Sequence, residues 1–195
     1  MPSSDSIRRY PTTVAVLHWA IAVAVIFLVV LGWWMQEIPK QPPGPRADAY
    51  NLHKSIGLAV LLLMVARLAW RVTHRTPELP PLPLWQARAA FGIHYLLYAA
   101  MFVDAFSGYL GSATSGYPVK FFGWVLPAWI GANATVKDAC SVIHLATSWS
   151  LAAAIGVHIA ATFYHECVLR DRLLWRMWPW ARDTRDRAIE ARSPG

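Results

Sequence analysis

An all-α fold, an integral membrane four-helix bundle, is predicted by three observations. Four apolar segments, at about 12–36, 52–72, 90–112 and 139–168, each reach the roughly 20 residues that a helix needs to cross a hydrocarbon core. The 195 residues are 56% hydrophobic with 11 tryptophans, and the mean hydropathy of +0.33 is far from the balance of a water-soluble domain. The Lys and Arg residues behind the net charge of +7 fall between and beyond the apolar segments rather than on one amphipathic face. That distribution reads as membrane topology and argues against nucleic acid as a partner. The chain is expected to form a single domain over 1–195, with no internal repeat.

The first segment follows Arg8 and Arg9 and ends in Gly32, Trp33 and Trp34, an interfacial aromatic belt. It is longer than a signal-peptide core and has no small-x-small cleavage site after it, so it is expected to remain as an anchor. Its exit loop, Ile38 to Asp48, carries four prolines and is expected not to be helix. The second segment opens near Leu52 and runs through Leu61-Leu62-Leu63 to Trp70, followed by Arg71, His74, Arg75 and a Pro-rich turn from Pro77 to Pro83. The third runs from Phe91 to about Leu110 and leads into a Gly- and Trp-rich loop, whose stretch Gly123 to Gly131 is read as a short interfacial segment. The fourth ends in a basic, Trp-rich tail from Arg170 to Trp180, beyond which 181–195 is expected to be disordered. Arg8, Arg9, Arg71, Arg75, Arg88 and the seven arginines from Arg170 to Arg192 share one side, against Lys40, Arg46, Lys54, Lys120 and Lys137 on the other. The positive-inside rule then places both termini in the cytoplasm.

Four histidines, His18, His53, His144 and His158, lie within or at the edge of these apolar segments, where an imidazole must find a partner. His18 is near the cytoplasmic start of the first helix and His53 near the outer start of the second. His144 and His158 are 14 residues apart on the fourth, roughly 21 Å along the axis and on nearly the same face. Depth alone therefore pairs His53 with His144 near the outer surface and His18 with His158 nearer the cytoplasm. Two imidazoles per site are what two bis-histidine haems require. No Cys-x-x-Cys-His occurs, so thioether attachment is excluded and non-covalent haem b is the candidate. Cys140 and Cys167 are roughly 40 Å apart on one helix, too far for a disulfide. The rival for each histidine is a core residue bonded to a carbonyl or hydroxyl. A zinc or copper site is a weaker rival, because no carboxylate or thiolate partners cluster here.

Other polar residues have two readings each. Arg67 either snorkels to the interface or pairs with a haem propionate. His94, at the cytoplasmic start of the third helix, either touches the inner haem or a quinone, or is solvated. His165, seven residues beyond His158 on nearly the same face, is a candidate polar handle for a quinone, whereas His74 is read as surface. Small residues flank the histidines, Gly57 after His53 and Ala152, Ala153, Ala154 and Gly156 in the fourth helix, and suit either a porphyrin or close helix packing. Asp104 lies among Met101, Phe102, Val103, Ala105 and Phe106, where a carboxylate is costly. It either relays protons or holds a partner, or is a protonated acid bonded to a neighbouring helix. Lys54, Lys120 and Lys137 lend the outer loops a local positive charge, which either attracts a small anion or, as for most loop lysines, does nothing specific.

Leu17-His18-Trp19, Leu52-His53-Lys54-Ser55-Ile56-Gly57, Val65-Ala66-Arg67, and His144 with His158 and His165 followed by Leu173-Leu174-Trp175-Arg176-Met177 resemble the bacterial cytochrome b561 family. The resemblance runs from about Tyr10 to Pro179 and rests on four histidines in this order on four helices. It implies two haems b in the bundle core, the inner one held by His18 and His158 and the outer one by His53 and His144. His165 matches a histidine near the quinone, and His94 one at the start of the third helix. Some members of the family resemble superoxide oxidases, which oxidise superoxide at the periplasmic face and reduce ubiquinone near the cytoplasmic face. The chain departs from the family where members often have a proline ahead of the glycine matched by Gly108; it has Asp104-Ala105 there, so a straighter helix and a more polar interior are expected. The expectation is thus a di-haem oxidoreductase of the bacterial inner membrane, passing electrons between a periplasmic donor such as superoxide and ubiquinone. Two other classes stay open: an anchor subunit relaying electrons for a peripheral dehydrogenase or hydrogenase, and a non-redox metal carrier.

Overall fold

The computed structural model describes residues 10–40, 44–74 and 82–179. Arg8, Arg9, most of the Pro77–Pro83 turn and the 181–195 tail lie outside the described residues. Four helices are long and apolar enough to cross a membrane. They are α1 (Thr12–Glu37), α2 (Pro45–Thr73), α3 (Leu84–Ala113) and α4 (Ala134–Tyr164), the last prolonged by a π turn over His165–Leu169. A two-stranded hairpin, β1 (Lys120–Phe121) and β2 (Trp124–Val125), lies between α3 and α4, and a single-turn helix α5 (Leu173–Arg176) closes the described chain.

Three helices begin before the apolar segments that announce them. α2 starts at Pro45 inside the loop expected to be non-helical, because proline is tolerated at the first helical position, where no intrahelical N–H bond is lost. Gly44, at φ 133°, makes the turn into it. Arg46 then donates to the carbonyls of Gln36 (3.2 Å) and Ile38 (2.7 Å), satisfying the end of α1. α3 starts at Leu84 after Pro83 rather than near residue 90. α4 starts at Ala134 rather than near 139, because the side chain of Asn133 accepts from Val136 N at 3.1 Å and caps the helix. The stretch expected as an interfacial segment is in part β2, in a hairpin whose turn residues Phe122 and Gly123 both have positive φ, 47° and 92°.

The two ends of the bundle are tied differently. At the terminal end Tyr10 N donates to Arg176 O (3.1 Å) and the Trp19 indole to Met177 O (2.8 Å), so the first and last described segments meet. At the other end Phe122 N donates to Ser55 Oγ (2.9 Å), pinning the hairpin onto α2. α1 packs mainly on α2 and α3 mainly on α4, with lighter contact between the two pairs. A buried cluster of Ile21, Val25, Val60, Met64, Ala100 and Leu151 draws on all four helices and joins the pairs. Outward-facing Val23, Leu62, Phe106 and Leu145 are all more than 60% exposed, an apolar perimeter suited to lipid rather than water.

Asn133→Ala is expected to lower the stability of the purified protein by about 1 kcal/mol, read as an earlier thermal unfolding midpoint in detergent, by loss of the α4 cap.

Candidate functional site

Two histidine pairs face each other across the seam between the helix pairs. His18 on α1 and His158 on α4 have ring centroids 6.3 Å apart with planes at 86°, near the terminal end. His53 on α2 and His144 on α4 have centroids 6.2 Å apart at 85°, near the hairpin end. Two imidazoles that each offer one nitrogen to a shared metal atom, at about 2 Å per bond, have ring centres roughly 6 Å apart, so both pairs have the spacing of axial ligands. The buried His53 Nδ1 has no hydrogen-bond partner.

Glycines make room for the pair at the hairpin end. A Cβ at Gly32 of α1 would stand 3.4 Å from His53 Cε1, and one at Gly108 of α3 only 3.0 Å from His144 Cε1 and 3.1 Å from its Nδ1. A side chain at Gly108 would therefore push into the ring. Gly111, one turn on, lets α3 approach Cys140 of α4, where a Cβ would come within 3.1 Å. At Gly57 and Gly156, by contrast, a Cβ would meet no protein atom within 4 Å, so close packing of these helices does not require glycine there.

The His144 ring is fixed on its other side. Its Nδ1 is 2.9 Å from the Asp104 carbonyl and 3.2 Å from Asp104 Oδ1. The same carboxylate oxygen accepts from Thr147 Oγ1 and Ser148 Oγ of α4, both at 2.8 Å. Asp104 is thus bonded to the neighbouring helix and holds the histidine as its partner, and the cost of a carboxylate among apolar side chains is offset by three polar contacts.

Around the pair at the terminal end the polar groups are arranged differently. His94 on α3 reaches His158 with ring centroids 5.2 Å apart, closer than an intervening metal atom permits, and its Nδ1 lies 2.6 Å from the Ala90 carbonyl. It stands beside the pair rather than in line with it. Arg67 on α2 donates from Nε to the Tyr98 hydroxyl of α3 (2.9 Å), one turn of α3 from His94. His165, in the π turn, is 2.5 Å from Asp171 Oδ2, and its carbonyl accepts from Asp171 N (3.3 Å). Among the described residues His94 and His165 are not in ring contact. His74 stacks on Trp70 at 4.0 Å and is exposed at the end of α2. Lys137 pairs with its exposed neighbour Asp138.

Several residues of this arrangement escape a reading by helical period. Thr147 and Ser148 are signalled only by their i+3 and i+4 spacing from His144. Tyr98 carries no signal of its own among the aromatics of α3. Asp171 lies beyond the helix end and is placed by a backbone reversal at Arg170 and Arg172, whose φ values are 54° and 57°.

The family model described as prokaryotic cytochrome b561 matches residues 9–180. "Cytochrome b561 homolog 2" of Escherichia coli (strain K12) is 32% identical over 181 residues, covering 91% of this chain and 95% of that protein. "Probable superoxide oxidase CybB" of Yersinia pestis is 27% identical over 177 residues, covering 88% and 97%. "Cytochrome b562" of Cereibacter sphaeroides is 29% identical over 164 residues, covering 83% and 89%.

Gly108→Ala is expected to destabilise the bundle by about 1–3 kcal/mol, because the added methyl overpacks the His144 ring; thermal unfolding of the purified variant beside a Gly57→Ala control measures it.

Proposed function

The chain belongs to the prokaryotic cytochrome b561 family, and on that premise we propose that it is a di-haem membrane oxidoreductase that takes electrons from superoxide at one face and delivers them to ubiquinone near the other. It is a bacterial membrane protein of a haem b electron-transfer family. The single observation that carries the finer reading is the pair of imidazole pairs, at 6.2 and 6.3 Å, at opposite ends of one bundle. Each pair of imidazoles would hold the iron of one haem b. Among the described residues no group of three or more His, Cys, Asp or Glu side chains is placed to hold a metal ion directly, which favours haem over a zinc or copper carrier.

In this reading His18 and His158 hold the inner haem, and His53 and His144 the outer one. Haem b supplies reversible one-electron chemistry at iron when bound. The rest is done by the chain. Gly32 and Gly108 leave the outer rings room, and the apolar cluster between the two sites excludes water from the bundle centre. Arg67, held by Tyr98, supplies a cation for the propionates of the inner group. Both termini are cytoplasmic, as the arginine distribution indicates, so the hairpin end faces the periplasm. Lys54 and Lys120 there raise the local concentration of a small anion, whereas Lys137 is paired with Asp138.

The overall change balances. Two superoxide ions each lose one electron and leave as O2, and the two electrons with two protons convert ubiquinone to ubiquinol. At the inner end His165 donates its Nδ1 proton to Asp171, which fixes the ring and leaves Nε2 to meet a quinone oxygen. His94 lines the same end beside His158.

Purified protein is expected to contain two haems b per chain by pyridine haemochrome, with a low-spin α band on reduction, and to reduce ubiquinone analogues when superoxide is generated. His53→Ala and His144→Ala should remove one and the same haem, and His18→Ala and His158→Ala the other. A colourless protein, or four variants that each keep both haems, would overturn the reading.

A further inference from the structure

The two candidate haem sites are not chemically alike. At the outer site the Nδ1 of His144 is held by both oxygen types of one residue, the backbone carbonyl of Asp104 at 2.9 Å and its carboxylate at 3.2 Å. That carboxylate is itself oriented by Thr147 and Ser148. Each hydroxyl has one proton and an alternative acceptor on its own helix, Thr147 the carbonyl of Ile143 and Ser148 that of His144, so pointing at Asp104 competes with a local bond. Among the described residues no carboxylate stands within ion-pair distance of His18 or His158. Toward that end of the bundle the cation Arg67 is held by the hydroxyl of Tyr98, one turn of α3 from the His94 that touches His158.

We propose that Asp104 is a positioning residue that acts through His144 to lower the reduction potential of the outer haem relative to the inner one. A ring nitrogen that donates its proton toward a carboxylate makes the opposite nitrogen a stronger donor to iron, and such outer partners tune a metal as well as orient its ligand. Stronger donation and a nearby negative charge both favour the more positive, ferric state. Arg67 works in the opposite sense at the other end. The two residues therefore grade the field along the bundle so that negative charge moves more favourably from the hairpin end toward the terminal end, the direction required for a periplasmic donor and an inner quinone. The inference rests on the haem reading of the histidine pairs.

Spectropotentiometric titration of the intact detergent-purified protein tests it. Wild-type protein lacking haem would sink the haem reading and this inference with it, and is recognised before any variant is made. In Asp104→Asn, which keeps the shape and an acceptor oxygen but removes the charge, haem content should stay at the wild-type level. The outer haem, identified as the one lost in His53→Ala, should become at least tenfold easier to reduce, an upward shift of about 59 mV for one electron, with the inner haem unmoved. Ser148→Ala removes a donor from the carboxylate, leaves it a stronger acceptor for His144, and should move the same potential downward. General loosening of the site would not give shifts of opposite sign. An unmoved outer potential in Asp104→Asn with both haems bound would overturn the proposal. Should that variant lose haem, Ser148→Ala decides, and an unmoved or raised potential there would overturn it.

Discussion

An imidazole inside a bilayer has no water to satisfy it, and the rest of this bundle is arranged around that constraint. α1 and α2 form one closely packed pair, α3 and α4 another, and each histidine pair reaches across the seam between them. α4 contributes to both, because 14 residues return its two histidines to nearly the same face. The apolar cluster in the middle of the bundle separates the two polar sites and is the place where all four helices touch. The seam is therefore polar at two levels and dry between them.

Specific hydrogen bonds tie both ends of the bundle, beside an apolar cluster of Leu31, Met35 and Ala49 where α1 ends and α2 begins. The clasp of Trp19 on the Met177 carbonyl ties the start of α1 to the segment after α4, and Ser55 ties the hairpin to α2 only two residues from His53. Both attachments lie next to a histidine pair along the chain. A lipid-facing perimeter gives helices little reason to associate, so specific polar contacts and small residues such as Gly108 and Gly111 fix which faces meet.

The four spans were legible because hydrocarbon thickness demands a long apolar run, and the histidines were legible because they interrupt those runs. Helix starts were less so. The first turns at Pro45, Leu84 and Ala134 carry polar residues suited to an interface, which a hydropathy reading assigns to loops, although Asn133 and Pro45 are both recognised start signals. The two readings of Asp104 could not be separated from sequence, since its partners Thr147 and Ser148 belong to another helix and only the α3–α4 approach at Gly108 brings them together. The two readings of Arg67 could not be separated from sequence either, since the Tyr98 hydroxyl that takes its Nε–H lies on another helix.

The π turn at the end of α4 couples two properties that are usually independent. Residues six apart on a regular helix point to widely separated faces, so Asp171 meets His165 only because the helix widens, ends and reverses in between. Where the fourth span stops and whether this hydrogen bond exists are then one trait. A thicker bilayer is matched without local thinning or snorkelling only by a longer hydrophobic stretch. Here such an extension would carry Asp171 away from the ring, so the chemistry at this end fixes the hydrophobic length of α4 and with it the range of membrane thickness the protein matches without tilting.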